Sequence, residues 1–250
     1  MPTLLQALDI AHAPVVAFVG AGGKTTAMFE LGRAMAPAIV TTTTHFAVDE
    51  AALADRHVVW AEGGSGVPVG PGDAPGVTLV TGPAESATAR LPGLSARQWA
   101  GLRTWCALHR RPLLVEADGS RQRPLKAPAP HEPAIPADVG AVIVFAGLLG
   151  LGLPLDDEHV HRPLAFAALS GARLGEPVTL DALAAVLMHP AGGRKHVPAG
   201  VRCVACLTQA DTPELRDLGA RLARAIRPAF DAVAVVSFRG AGIDPTAPLR

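Results

Sequence analysis

The stretch VVAFVGAGGKTTAMFELGRAM, Val15 to Met35, decides the reading of this chain. An apolar run over Val15–Val19 stops at Gly20-Ala21-Gly22-Gly23, and Lys24, Thr25 and Thr26 follow. A helical pattern then spans Thr25–Met35. Glycines between a strand and a helix let the backbone turn tightly and bring its N–H groups onto an anion, and the helix N-terminus adds its positive dipole end. The physical expectation is phosphate binding. Lys24 would reach the β- and γ-phosphates, and the Thr25 hydroxyl would ligate Mg²⁺.

Apolar β-type runs recur along the chain, at Val15–Val19, Ala38–Thr42, Val58–Ala61, Val77–Val80, Leu113–Val115, Ala141–Phe145, Val201–Leu207 and Val233–Ser237. Several are continuous, as in strands buried on both faces. Helical patterns lie between them, at Thr25–Met35, Ser95–Arg110, Leu180–Met188 and Pro213–Ile226. The last has Thr212 as N-cap and Pro213 at the first helical position. Strands alternating with helices predict an α/β fold, a mostly parallel sheet with helices on both faces. Its expected type is P-loop NTPase-like, in one domain over residues 1–250.

Composition narrows the function classes. Apolar residues make up 49% of the 250, enough for a sizeable core. Aromatics are 4% and Tyr is absent, which argues against base stacking on nucleic acid. Basic and acidic residues balance at 22 each, so neither a polyanion nor a membrane surface is the expected partner. The opening MPTLLQALDIAHAP lacks a basic start and a long apolar core, and the uncharged run Val139–Leu155 is broken by four glycines and Pro154. A cytoplasmic location is the expectation. Cys203 and Cys206 form a lone CxxC in a strand, where such positions face opposite sides, so two small buried residues are expected rather than a metal site. Three of the 22 basic residues are lysines, and all three fall in Gly- or Pro-flanked loops, GGKTT, RPLKAP and GGRKH. In an Arg-dominated chain, each is a candidate for a point-charge role that Arg does not fill.

Further motifs lie at strand ends. LLVEADGS (Leu113–Ser120) ends an apolar strand in Glu116 and Asp118. Their two-residue spacing puts both on one strand face. One would hold Mg²⁺, with Asp118 favoured, and the other would orient water. In VTTTTHF (Val40–Phe46), threonines suit a strand, and at its carboxyl end Thr43, Thr44 and His45 would face the γ-phosphate. The Pro-rich segment at about 119–136 holds five prolines with Lys126, His131 and Glu132, and is read as a functional loop closing over the phosphates or a second substrate. DDEHVHRP (Asp156–Pro163) carries His159 and His161 among acids, in either a metal site or an ordinary surface loop.

The glycine burst is a shortened form of the GxxxxGK[ST] P-loop, since position 18 is Phe, and it resembles the GxxGKTT loop of Mur-type ligases. LTQAD (Leu207–Asp211) resembles the [NT]KxD guanine-reading element of GTPases, with Asp211 as base acceptor and Gln209 in place of Lys. Together, VVAFVGAGGKTT, VTTTTH, LLVEADGSR with PLKAPAPHEP, VHRP, HPAGGRKHVPAG and LTQAD resemble the YqeC family over nearly the whole chain. The resemblance implies a P-loop fold binding ATP or GTP, and an accessory role in selenium cofactor biosynthesis or in the maturation of molybdenum-containing hydroxylases. The candidate site read from the motifs themselves comprises Gly20–Thr26, His45, Glu116, Asp118, Lys126 and Asp211. Three readings compete. One is an NTP-hydrolysing accessory factor. A second is a Mur-like ligase or kinase that activates a small acid or a selenium or sulfur donor. The third is a binding module without turnover.

Overall fold

A computed structural model describes residues 3–63, 66–70, 75–85 and 89–238. Among the described residues, eight strands build the main sheet: β1 (Val15–Gly20), β2 (Ala38–Thr42), β3 (Arg56–Val59), β4 (Val77–Thr81), β5 (Leu113–Glu116), β6 (Ala141–Gly147), β7 (Arg202–Thr208) and β8 (Ala232–Val235). They follow the eight β-type runs in the sequence. Their spatial order is β8-β7-β6-β1-β5-β2-β4-β3, and every pairing is parallel.

Among the described residues, six helices accompany the sheet: α1 (Leu4–Leu8), α2 (Lys24–Ala34), α3 (Ala96–Leu108), α4 (Pro163–Ser170), α5 (Leu180–Met188) and α6 (Pro213–Ile226). The strand side-chain alternation divides the core into two layers. Val16 and Phe18 pack with residues of α1 and α2, such as Leu4, Leu8 and Met28. Val15, Ala17 and Val19 face the other layer, which holds Leu102, Leu183 and Leu222 of α3, α5 and α6. The central strands are buried on both faces, so their sequences are continuous apolar runs.

Cys203 and Cys206 fall into opposite layers, both buried and unpaired, as strand periodicity requires. Burial raises both thiols, Cys203 to about 11. These are core positions rather than reactive ones.

Two helices lie outside the sequence expectation. α1 is one turn, closed by a capping box from Thr3 and Gln6. α4 starts at Pro163 and ends on left-handed Gly171. Both carry start or stop signals, but each is too short for helical periodicity to stand out. The C-terminal expectation Val233–Ser237 is a strand over Ala232–Val235, and residues 239–250 lie outside the described residues.

β1 is the pivot of the topology. Strands β2–β5 lie to one side of it and β6–β8 to the other. In open parallel sheets, ligands bind beyond the strand carboxyl ends where the order switches sides. Here that point is the gap between β1 and β6, and the chain leaves β1 there as Gly20–Gly23. No helix among the described residues is long and apolar enough to cross a membrane.

Candidate functional site

The glycines at the end of β1 are required by close approach. The Ala21 N–H donates to the Phe145 carbonyl at 3.0 Å. A Cβ on Gly20 would lie 2.2 Å from that carbonyl oxygen, and a Cβ on Gly22 would lie 2.4 Å from the Gly147 nitrogen. Gly22 and Gly23 also hold φ of +82° and +77°, in the left-handed region. The Thr208 hydroxyl at the end of β7 donates to the Gly22 carbonyl. Gly23 caps α2 with no side-chain hydrogen bond. The loop therefore passes tightly over β6 and delivers Lys24 at the first turn of α2, where the helix N–H groups lack a side-chain cap.

Lys24 is buried, and its ammonium meets both acids of β5 and the loop after it. It donates to Glu116 Oε1 at 2.9 Å, to Asp118 Oδ1 at 2.9 Å, and to the Asp118 carbonyl. Burial alone would lower its pKa, but the Asp118 and Glu116 charges hold it above the ordinary lysine range. The Glu116 pKa is raised as well, but by burial, and Lys24 opposes the rise.

The two acids have different surroundings. Asp118 accepts from the Gly20 N–H on both oxygens, at 3.1 and 3.0 Å, from Lys24 on Oδ1, and from Lys126 on Oδ2 at 2.8 Å. Its oxygens are occupied by N–H donors. Glu116 has one oxygen on Lys24, and its Oε2 lies 3.5 Å from the Thr25 hydroxyl.

A cleft of about 790 Å³ opens at this end of the sheet. Gly22, Gly23, Lys24, Thr25, Thr26 and Glu116 line its floor. Thr43, Thr44 and His45 line one wall, and His161, Arg162 and Gln209 belong to the other. Gly20, Ala21, Asp118, Lys126 and Asp211 are not among its lining residues.

Several sequence expectations change in detail. The segment at about 119–136, read from the sequence as a loop closing over the phosphates or a second substrate, is hydrogen-bonded to neighbouring segments at several points. Pro124 and Ala134 make backbone hydrogen bonds of 2.9 Å to Gly147 and Ala117. Lys195 donates to the Ala129 and Pro130 carbonyls at 2.6 and 2.9 Å. His196 Nδ1 lies 2.9 Å from the Pro133 carbonyl. Lys126 is buried and turns inward, donating to Asp118, to the Gly119 carbonyl at 2.7 Å and to Glu132 at 3.0 Å. It braces Asp118 instead of reaching into the cleft.

Arg162 completes this network, and the sequence reading did not single it out. Its guanidinium donates to both Glu132 oxygens at 2.8 Å. Burial would raise the Glu132 carboxyl, but Arg162 and Lys126 pull it down to about 2. Arg162 holds a left-handed backbone at the start of α4, and its position directly before Pro163 was the available signal. Lys126 and His161 also belong to a small parallel pairing of Leu125–Lys126 with Val160–His161. Six buried or half-buried charges thus alternate in sign: Glu116, Lys24, Asp118, Lys126, Glu132 and Arg162.

The remaining candidates are placed as follows. Thr42 and Thr43 hydroxyls donate to the Glu116 carbonyl at 3.0 and 3.4 Å, which ties the end of β2 to β5. His45 Nε2 is 3.6 Å from Glu85 Oε1. Asp211 accepts from the Ser237 hydroxyl at 2.5 Å. Gln209 has φ of 62°, and its buried Oε1 has no hydrogen-bond partner. His159 pairs with Asp156 at 2.7 Å, whereas His161 lines the cleft. Among the described residues, no group of three or more His, Cys, Asp or Glu side chains is disposed to hold a metal.

A family model described as YqeC protein matches residues 16–164, which include the glycine loop, both β5-end acids and the Lys126–Glu132–Arg162 network. The chain belongs to the YqeC family. It is 33% identical over 198 residues to "Uncharacterized protein YqeC" of Escherichia coli (strain K12), across 76% of this chain and 73% of that protein. No solved structure matches the chain. Within the YqeC match, the glycine loop and the acids of β5 are far apart in sequence but joined by Lys24. Gln209 and Asp211 lie beyond the matched residues 16–164.

Proposed function

We propose that this YqeC protein is a P-loop NTPase-like nucleotide-binding protein taking Mg-ATP or Mg-GTP at Gly20–Thr26. The observation that carries the reading is the placement of Lys24. Its ammonium lies at the N-terminus of α2, beyond the carboxyl end of the central strand and beside the switch point, on the floor of the cleft. Uncapped helix N–H groups, a left-handed glycine and a lysine point charge at one spot form an anion site.

The residues present fit a hard divalent cation. The Thr25 hydroxyl and the Glu116 carboxylate converge at the cleft floor, and Mg²⁺ needs only one or two protein oxygens when phosphates supply others. Thr25 and Glu116 would hold the ion, which supplies charge neutralisation of the phosphates. This assigns the metal acid to Glu116 and makes Asp118 the residue that positions Lys24 and the Gly20 amide. His45 lines the cleft near the end of β2 and would meet the γ-phosphate end.

Asp211 and Gln209 favour neither purine strongly. Asp211 keeps a carboxylate at the end of β7, but Gln209 lacks the aliphatic stem and charge of lysine. Contacts of this size are worth ~1–3 kcal/mol, one to two decades in affinity. In the cell, we assign the protein a role in selenium cofactor biosynthesis or molybdenum hydroxylase maturation, with nucleotide hydrolysis timing the step.

Calorimetric titration with non-hydrolysable ATP and GTP analogues tests the site, with and without Mg²⁺. Mg-dependent binding of either, within a thousandfold of the other, is the expected result. Binding of neither removes the nucleotide reading. Deleting the gene should leave a molybdenum hydroxylase polypeptide present but inactive, and full activity in the deletion strain excludes the cellular role.

A further inference from the structure

The charges of the cleft do not balance at one end. Lys24 is paired with Glu116 and Asp118, and Arg162 is paired with Glu132. Arg121, which also lines the cleft, has no carboxylate partner among the described residues. Its backbone has φ of 49° and that of Gln122 has φ of 60°. The Arg123 N–H closes this turn onto the Ser120 carbonyl at 3.0 Å. Two successive left-handed residues are the usual business of Asn and Gly, and a side chain with a Cβ is strained at each. Strain of this kind collects at functional sites.

His161 reports the field at the same place. Burial lowers its pKa, and the nearby Arg162, Lys126 and Arg121 charges lower it further, to about 4. Glu132 opposes the shift without cancelling it. The imidazole is therefore neutral at pH 7, a hydrogen-bonding group beside a surplus cation. Ser120 and Gln122 line the cleft next to Arg121 and add further polar groups.

We propose that this end of the cleft is a second ligand subsite, in which Arg121 and His161 bind a small oxyanion or carboxylate alongside the nucleotide. The proposal rests on the nucleotide reading for what occupies the glycine loop. It adds the class of the second substrate: an anion small enough to share the cleft with a nucleoside phosphate. Arg121 supplies a fork of N–H donors on a strained turn, and His161 supplies a ring nitrogen whose protonation the anion would favour.

The test uses the full-length protein and inorganic phosphate as the probe. Phosphate is titrated by calorimetry into the protein alone and into protein saturated with Mg-ADP or Mg-GDP. The His161 ring is followed by NMR across pH in parallel. Phosphate should bind to the diphosphate-saturated protein, and it should raise the His161 pKa by at least one unit. Arg121→Ala should weaken phosphate binding at least tenfold, and Arg121→Lys should weaken it less. Competitive displacement of phosphate by the nucleoside diphosphate would place it on the glycine loop and overturn the proposal. An unchanged His161 titration, or full phosphate affinity in Arg121→Ala, would overturn it as well. If neither diphosphate binds, the nucleotide reading fails separately. The phosphate titration of the protein alone, with Arg121→Ala and the His161 signal, still decides the subsite.

Discussion

The Lys24 ammonium lies 2.9 Å from Asp118 Oδ1, and the same carboxylate accepts the N–H of Gly20 at the end of β1. One side chain thus fixes both the first glycine of the loop and the lysine that follows it. Neutralised in this way, Lys24 is a structural residue as well as a candidate phosphate ligand.

A lysine placed at a loop for phosphate charge alone would be expendable for folding. Lys24 is instead buried and paired with Glu116 and Asp118. Removing one partner of a buried ion pair costs about 3–5 kcal/mol, because the other charge is left uncompensated. Asp118 keeps its bonds to Gly20 and Lys126, so the low end applies here. Lys24→Ala should lose Mg-nucleotide binding and also lower stability by about 3 kcal/mol in chemical denaturation. A variant of wild-type stability would show that the pairing contributes little.

Glu116 and Asp118 should separate cleanly. Glu116→Gln leaves Asp118 on Lys24, so the fold should persist while Mg²⁺ dependence of nucleotide binding drops at least tenfold. Asp118→Asn deprives two buried lysines of a shared carboxylate and should destabilise by about 2–4 kcal/mol, with the nucleotide defect following from the fold. Magnesium titrations at a temperature where both variants are folded distinguish the roles. Loss of Mg²⁺ response in Asp118→Asn alone would restore Asp118 as the metal acid.

Neighbouring glycines should respond differently to alanine. At Gly23 a Cβ would touch only Thr208, at 3.8 Å or more, so the cost is the left-handed backbone, about 1–2 kcal/mol. At Gly22 the same backbone cost is joined by overlap with Gly147 backbone atoms, 2.4 and 2.5 Å away, which cannot move without shifting β6. Gly22→Ala should therefore be less stable than Gly23→Ala by about 1–3 kcal/mol in urea denaturation, the overpacking cost added to the same backbone cost. Equal effects would mean that the loop can lift off β6.

Stability should fall in two steps on acidification. His161 is held down to about 4, against 6.5 for an ordinary histidine, so the unfolded chain takes up its proton first. That contribution is complete above pH 6.5 and is lost as pH falls toward 4. His57, lowered by burial, acts with the same sign. Glu132 is held down to about 2, and its contribution is complete above about pH 4.5 and lost as pH falls toward 2. After allowance for solvent screening, His161 contributes ~1–2 kcal/mol. His161→Gln should flatten the upper step in urea titrations between pH 7 and 4, while leaving the lower step in place.

The eight strands, the two-layer core and the glycine loop were all legible in the sequence, because they depend on local patterns. Continuous apolar runs mark strands buried on both faces, and a glycine burst between strand and helix marks a tight crossing. Cys203 and Cys206 were assigned to opposite faces correctly because both lie inside β7, where the alternation holds. The same rule did not distinguish Glu116 from Asp118. β5 ends at Glu116, and beyond it the side-chain direction follows the path of the loop, not strand periodicity. Only the tertiary structure decided that Asp118 would be enclosed by Gly20, Lys24 and Lys126, that Lys126 would turn inward, and that Arg162 would meet Glu132 from 30 residues away. Such pairings depend on which distant segments the sheet order brings together, and charge alone carries no record of its partner.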